Sequence, residues 1–257
     1  TGGNEKVRPN KWTASALLAR VYLYKEEWQK ADAEANAVIN SGMYSMTSNL
    51  NNVFLKNSTE AIWQLQPVNV AWNTWEGKDV LFATGSTPPT YYISNVLLNS
   101  FEPADARKTS WIGSRNYLGQ QFFYPYKYKV YGNNAPVTEY YMVFRLGEQF
   151  LIRAEARMMQ DNLMGAESDI NTIRTRAGLA NITFSNKAAA IIAIENERRH
   201  ELFAEWGHRW FDLKRTNRAD GVIGALKPAT WQSTDELWPI PISQINANPF
   251  LTQNPGY

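Results

Sequence analysis

The sequence predicts a mainly α-helical protein, built as a tetratricopeptide-like superhelix of helical hairpins with a long loop-rich insertion and an irregular C-terminal tail. Three observations support this fold class. Apolar residues recur at helical spacing over residues 9–42, and the same pattern returns over residues 139–178. Residues 58–138, between these two segments, lack that periodicity. We expect all of these parts to form one domain over residues 1–257.

The first hairpin is predicted over residues 9–42. Pro9 suits a first helical position, because its fixed backbone angle matches the helix and its missing N–H has no helical partner there. Ala14, Leu17 and Val21 then fall on one helix face, and a second helix follows after a short polar break. Gly42 is a plausible stop for that second helix.

The second hairpin repeats the design of the first. Helices are predicted over residues 139–160 and 163–177, followed by Gly178. A shift of 135 residues places Ala19 on Ala154, so a small residue recurs where two helices must approach closely. This is the packing logic of tetratricopeptide-type repeats, here interrupted by an insertion.

The insertion is poor in charge and rich in aromatic residues. Residues 61–100 contain only three charged side chains, and residues 61–145 contain 18 of the 34 aromatic residues of the chain. Short strands are predicted over residues 61–66 and 122–130. Loops with so many aromatic rings are more typical of binding surfaces than of connectors.

The last region spans residues 187–257. A helix is predicted over residues 187–206, then a short helix or turn over residues 208–215. From residue 226 the chain is rich in Pro and Asn and is expected to be irregular. Because the tail still contains Trp231 and Trp238, we expect it to be packed rather than disordered.

The helix over residues 187–206 carries charges inside its apolar stripe. At 100° per residue, the charged residues share a face with Leu202. Charges in such a stripe must be paired, or each costs several kcal/mol. We interpret them as a buried structural ion-pair network, although an acid/base cluster is the alternative. The predicted members are Glu195, Arg198 and Glu205 on this helix, with Arg209 and Asp212 just downstream as their candidate partners.

Composition and motifs exclude several classes of function. With 26 basic and 24 acidic residues, the chain has no charge excess that favours nucleic acid. It contains no cysteine, and His200-Glu201 lacks the second histidine of a zinc-protease motif, since Ala204 stands there. Phosphate- and dinucleotide-binding motifs are missing, so no cofactor is predicted. Glycoside hydrolysis stays open as an alternative through the carboxyl groups of Glu76, Asp79, Glu102 and Asp105.

Aromatic rings beside neutral polar groups are the strongest binding signal. The segment from Trp72 to Trp75 is the sharpest case, because a flat ring packs on the C–H face of a sugar while amides and guanidinium groups bond its hydroxyls. The alternative is that the rings are hydrophobic plugs beneath long loops. Arg107 also closes a predicted turn through a local ion pair with Asp105. The candidate ligand-binding residues are Trp72, Asn73, Trp75, Tyr91, Tyr92, Arg107 and Trp111.

The C-terminal 21 residues, LWPIPISQINANPFLTQNPGY over positions 237–257, closely resemble the C-terminal signature of the SusD/RagB family. Further segments are similar to the family over nearly the whole chain. They are residues 11–23, 145–156, 170–179, 197–202 and 207–213.

The resemblance implies a function. Members of this family are surface lipoproteins of the outer membrane in Bacteroidetes-type bacteria, and they are not enzymes. They bind glycans, or in some cases peptides, and pass them to a SusC-like TonB-dependent transporter. Their ligand sites lie in loops on a helical, tetratricopeptide-like scaffold. The resemblance therefore implies glycan capture, with peptide capture as the alternative, and no cofactor.

The resemblance also bears on the extent of the chain. Family members begin well upstream, with a signal peptide and a lipidated cysteine. The chain is therefore expected to be the C-terminal part of a longer protein, attached to the membrane only through a lipid anchor outside this sequence.

Overall fold

The computed structural model describes residues 5–68, 72–81, 91–132 and 134–257. These residues form two compact bodies, of which the first extends to Phe203 and the second begins at Ala204. The single domain over residues 1–257 stays a prediction. The chain is mainly helical, as predicted. None of the described helices has both the length and the apolar character that crossing a bilayer requires.

The first body combines helices with two small antiparallel sheets, in which β1 pairs with β4 and β2 pairs with β3. Its described helices are α1 (Lys11–Tyr24), α2 (Trp28–Ile39), α3 (Trp75–Val80), α4 (Asn95–Leu98), α5 (Ala106–Ser110), α6 (Leu146–Met159), α7 (Leu163–Arg176) and α8 (Lys187–Leu202). Its described strands are β1 (Ala61–Leu65), β2 (Ile112–Tyr117), β3 (Gln120–Pro125) and β4 (Tyr141–Arg145).

The first hairpin begins at a capped helix terminus. The side chain of Asn10 accepts hydrogen bonds from the backbone N–H groups of Trp12 and Thr13, which satisfies donors that have no partner inside the helix. Ala19 of α1 and Ala31 of α2 are fully buried and belong to one apolar cluster that also includes Ile152 of α6. The first hairpin thus packs directly on the second.

The predicted repeat is confirmed by burial at equivalent positions. Ala154 and Ala166, the counterparts of Ala19 and Ala31, are likewise fully buried. They belong to a second apolar cluster that includes Ile194 of α8. Small residues at these positions let α6 and α7 approach closely, and the resulting stack is the tetratricopeptide-like frame that the sequence predicts.

Three predicted boundaries were wrong. The helix predicted over residues 139–160 begins only at Leu146, because Tyr141–Arg145 forms strand β4 beside β1. The helix predicted over residues 187–206 ends at Leu202. The strand predicted over residues 122–130 is Gln120–Pro125. Its partner β2 was not predicted, since alternating serine, arginine and asparagine side chains give little apolar signal.

The insertion shares an aromatic core with the segments before and after it. Trp111 is fully buried at the centre of an apolar cluster with Phe54, Tyr128 and Phe203. The ring of Phe54 meets that of Trp111 edge to face, with centroids 5.8 Å apart. The loop-rich segment is therefore anchored by aromatic packing.

The second body contains α9 (His208–Arg215), α10 (Ala219–Leu226), a 3₁₀ turn at Ser233–Glu236 and α11 (Ile242–Ala247). Its irregular tail folds back on itself. The side chain of Gln253 accepts from the N–H of Ile240 at 2.8 Å and donates to its carbonyl at 2.9 Å. The Tyr257 hydroxyl donates to the carbonyl of Leu237 at 2.9 Å.

Candidate ligand-binding site

A pocket of about 280 Å³ lies between the end of β1 and the start of α3. This volume is close to the lower end of ordinary small-molecule clefts, and suits a compact ligand or one unit of a longer chain. Its described lining is mainly apolar and aromatic, and it includes no charged side chain. The lining residues are Leu65, Gln66, Pro67, Val68, Trp72, Trp75 and Tyr141.

The two indoles form one rigid unit at the pocket. Their ring centroids lie 5.3 Å apart at an interplanar angle of 65°. The ammonium of Lys78 lies 4.1 Å from the Trp72 centroid and 4.3 Å from the Trp75 centroid, so cation–π attraction helps to fix both rings. Trp75 remains 49% exposed and Trp72 is half-buried. The pair therefore presents aromatic surface to solvent.

Local hydrogen bonds hold this unit against neighbouring elements. Thr74 caps α3, because its hydroxyl accepts from the N–H of Gly77 at 3.0 Å. The N–H of Trp75 donates to the hydroxyl of Tyr141 on β4 at 3.0 Å. At Gly77 an added Cβ would lie 2.7 Å from the carbonyl oxygen of Val130, so only glycine permits this close approach.

Asn73 is a structural residue in the protein interior. The prediction that its side chain bonds a sugar hydroxyl was wrong. The residue is fully buried. Its Oδ1 accepts from the N–H groups of Thr138 and Glu139 at 2.7 and 2.9 Å, and its Nδ2 donates to the carbonyl of Pro136 at 3.2 Å. With its side-chain amide used in this way, Asn73 ties the tryptophan segment to the chain that leads into β4.

Two polar atoms beside the indoles are buried and have no hydrogen-bond partner among the described residues. They are Nε1 of Trp72 and Oε2 of Glu76. Burial raises the pKa of Glu76, and the nearby Asp79 raises it further. Both atoms are buried, so neither is open to a ligand in this structure.

Tyr91 and Tyr92 are not among the residues that line the pocket. They are 59% and 64% exposed, and the ring of Tyr92 meets that of Phe122 edge to face at 5.9 Å. The N–H of Ile93 donates to the carbonyl of Phe123 at 2.7 Å, which places this segment along β3. Ligand contact at these two tyrosines stays a prediction.

The prediction that Trp111 and Arg107 contact a ligand was wrong. Both side chains are fully buried. Nε1 of Trp111 donates to the carbonyl of Leu50 at 2.9 Å. The Arg107 guanidinium bonds Asp105 at 2.7 Å, which confirms the predicted local ion pair, and Glu197 at 2.6 Å. No atom of either group is accessible to a ligand.

Arg107 belongs to a buried ionic cluster centred on Glu201. The Glu201 carboxylate pairs with Arg145 at 2.5 Å, with Arg107 at 3.1 Å and with Arg176. Its carbonyl oxygen accepts from Lys127 at 2.7 Å. Although burial alone would raise it, the pKa of Glu201 lies well below its usual value because the three guanidinium groups stabilise the charge.

The predicted ion-pair network is distinct from this cluster. Arg198 is buried, and its Nε lies 3.8 Å from Oε2 of Glu155 on α6. Glu195 belongs with it to the first body, whereas Glu205, Arg209 and Asp212 belong to the second. In the second body Asp212 pairs with Arg215 at 2.8 Å. A network joining the five predicted residues stays a prediction.

The side chain of His200 makes contacts within the protein interior. Its Nε2 lies 2.9 Å from Oγ of Ser100, and its ring stacks on Phe101 with centroids 4.5 Å apart. Burial, together with the nearby positive charge of Arg107, lowers the pKa of His200 to about 4. The histidine is therefore a neutral part of the packing around the ionic cluster.

The SusD family model matches residues 68–257. The chain belongs to the SusD family. This confirms the resemblance drawn from the C-terminal signature. The SusD-like protein P25 of Formosa agariphila is 24% identical over 319 aligned positions, which cover 98% of this chain and 60% of that protein. The starch-binding protein SusD of Bacteroides thetaiotaomicron is 36% identical over 122 positions, covering 45% of this chain and 21% of that protein.

Solved structures of SusD relatives share the fold. A SusD superfamily protein from Parabacteroides distasonis superposes with a TM-score of 0.77 at 24% identity, covering 98% of this chain and 64% of that one. The surface glycan-binding protein A of Bacteroides uniformis gives 0.75 at 21% identity, covering 96% and 61%. The chain spans about 60% of the length of the curated full-length SusD-like relatives it matches.

Proposed function

We propose that this chain is the glycan-binding part of a non-catalytic surface protein, which captures an oligosaccharide or polysaccharide and passes it to a TonB-dependent outer-membrane transporter. The observation that carries the proposal is the pocket at Trp72 and Trp75, where two fixed indoles meet solvent. The full-length protein is proposed to be attached to the outer membrane through a lipid anchor.

The chemistry of the pocket suits a sugar. An indole face covers the C–H side of a pyranose, and burying about 100 Å² of apolar surface in this way contributes roughly 2–3 kcal/mol. Two such contacts, after the cost of association, give a Kd of about millimolar to micromolar. Weak and reversible binding is what capture followed by transfer needs.

The surroundings of the pocket support binding without hydrolysis. Hydrolysis of a glycosidic bond requires two carboxyl groups on either side of it, and the described lining of the pocket contains none. Of the four candidate carboxyl groups, that of Asp105 is locked onto Arg107 and that of Glu102 pairs with Arg174 at 2.6 Å.

The printed names of the relatives support the same class of ligand. One relative is a starch-binding protein, and one solved relative is a surface glycan-binding protein. Both belong to proteins longer than this chain, so the transfer step is proposed for the full-length protein.

Affinity electrophoresis across a panel of polysaccharides tests the proposal. The chain should be retarded by at least one glycan, and Trp72→Ala combined with Trp75→Ala should abolish that retardation while lowering the melting temperature only slightly. Leu118→Ala is a matched control, because Leu118 is 88% exposed on the separate β2–β3 turn.

Three outcomes would contradict the proposal. Retardation that persists in the double variant would show that the pocket is not the glycan-binding site. Binding of peptides with no glycan retarded would favour a peptide-binding member of the family. Release of reducing ends from a retained glycan would establish a hydrolase.

A further inference from the structure

One side of helix α1 carries apolar residues that the described part of the chain leaves open to solvent. Leu17, Leu18 and Val21 are 47%, 38% and 40% exposed. Ala14, one turn earlier, is exposed as well. Because positions three and four apart are neighbours on a helix, these four residues form one continuous surface, the α1 stripe. The fully buried Ala19 marks another side of the helix, which packs on the core.

The internal repeat shows what covers the same surface in the second hairpin. The shift of 135 residues between the two hairpins places the α1 stripe on α6. Its four counterparts, each at most 8% exposed, are Gln149, Ile152, Arg153 and Ala156. Ile152 and Ala156 belong to one apolar cluster with Ala31 and Ala35 of α2. The second helix of the first hairpin therefore covers on α6 the surface that stays open on α1.

The contacts between α2 and α6 indicate the chemistry of a helix that fits the α1 stripe. Ala31 and Ala35 stand one turn apart, and their small side chains let α2 approach α6 closely. A polar contact lies beside them, since Arg153 donates to Oδ1 of Asn36 on α2 at 2.7 Å. The counterpart of Arg153 on α1 is Leu18, which makes no such bond. A helix on α1 is therefore held by apolar packing alone.

The exposed stripe is unlike the end of a stack of helical hairpins. An end helix needs a polar outer face to keep the stack soluble, whereas the α1 stripe is apolar throughout. The chain covers only 60% of the curated SusD-like relatives that it matches over nearly its whole length. The rest of each relative is far longer than the roughly 34 residues of one tetratricopeptide hairpin. A full-length protein of this size has room for a further hairpin.

We propose that the α1 stripe is the docking surface for a further helical hairpin of the full-length protein, whose second helix lies on α1 as α2 lies on α6. The docked helix presents small apolar residues, one turn apart, to Leu17 and Val21. This inference concerns the helical frame and does not depend on the proposed glycan binding.

Single cysteines can report the burial of the α1 stripe, because the chain contains no cysteine of its own. Leu17→Cys and Val21→Cys are made in this chain and in the full-length protein, and their labelling by a maleimide is followed by mass spectrometry of the peptides. Both should react quickly in this chain. In the full-length protein they should react at least about tenfold more slowly, since a buried thiol is labelled only when the packed helices open.

The matched control is Ala33→Cys on the exposed side of α2, whose counterpart in the second hairpin, Ser168, is exposed as well. This cysteine should react at the same rate in both proteins. Equal rates at Leu17→Cys and Val21→Cys in the two proteins would overturn the inference. Protection within this chain that grows with its concentration would instead assign the stripe to a second copy. Protection that requires the purified transporter would assign it to that partner, and either result overturns the proposed occupant.

A charge placed on the stripe gives an independent measurement. Leu17→Lys should leave the melting temperature of this chain unchanged, because the position is open to solvent there. It should lower the melting temperature of the full-length protein by roughly 4 °C or more, because the ammonium would be buried beneath the docked helix. Equal shifts in the two proteins would contradict the docked hairpin.

Discussion

Trp111 and Trp75 both lie in the insertion between the helical hairpins, and each has a lysine ammonium over its ring, Lys127 at 4.6 Å and Lys78 at 4.3 Å. Trp111 is fully buried with its N–H bonded to a carbonyl, whereas Trp75 is 49% exposed beside an indole whose N–H has no described partner. The comparison teaches that residue type and local charge do not separate a core ring from a ring for which ligand contact is proposed. The exposed fraction of the side chain does.

The largest effect is expected at the charged centre beside Trp111. Glu201→Gln removes the carboxylate charge that three guanidinium groups share, and leaving such charges buried and unpaired costs about 3–5 kcal/mol. Thermal unfolding should show a melting temperature lower by roughly 6 °C or more. Glu26→Gln, at an exposed turn, is the control and should change stability by less than about 0.5 kcal/mol. Equal melting temperatures for the two variants would show that Glu201 is dispensable.

The two tryptophans can then be compared directly. Trp111→Ala should cost about 3–5 kcal/mol, because it leaves a large cavity and an unbonded carbonyl at Leu50. Trp75→Ala should cost about 1 kcal/mol or less and should instead lower glycan affinity. Denaturant unfolding measures the first quantity and affinity electrophoresis the second. A similar loss of stability in both variants would contradict the distinction between core ring and binding ring.

The dependence of folding stability on acid pH tests the role of His200 beside the buried cluster. The folded protein keeps His200 neutral down to about pH 4, whereas the unfolded chain takes up the proton near its ordinary pKa of 6.5. The unfolded state thus binds more protons in that window, and stability falls as the pH drops through it, by up to about 3 kcal/mol. His200→Gln should flatten this part of the stability profile. An unchanged slope in that variant would assign the acid sensitivity to other groups.

The smallest effect is expected at Asn73, which links the pocket to the frame. Asn73→Ala leaves two backbone N–H groups, those of Thr138 and Glu139, without their acceptor, at a cost of about 1–3 kcal/mol. Because the tryptophan segment loses its hydrogen bonds to the chain before β4, glycan affinity should fall severalfold, although the variant keeps both indoles. Full affinity in Asn73→Ala would show that the tie does not position the rings.

The helical frame could be predicted from sequence because its signal is local, although the predicted apolar face of α1 was wrong, since Ala14, Leu17 and Val21 are exposed. Ala19, Ala31, Ala154 and Ala166 stand at regular spacing, and each is fully buried. Strand β4 escaped prediction because it leads without a glycine or proline directly into α6 at Leu146.

The candidate site was only partly predictable. Trp72 and Trp75 were found because they lie close together in a segment with little charge. Trp111 and Arg107 were misread because their surroundings come from far along the chain, with Glu197 and Glu201 lying 90 and 94 residues beyond Arg107. These two glutamates stand four residues apart and so share a helix face, but spacing alone does not reveal which charged face a helix buries.

The junction at Glu201 has a consequence for how such a protein can change. Residues from α5, β4 and α7, together with the segment after β3, are fastened to one point on α8. The sequences of the loops between these elements can change while the ion pairs keep the elements in place. New ligand preferences can therefore arise by substitutions in the loops, while the packing of the elements around Glu201 stays the same.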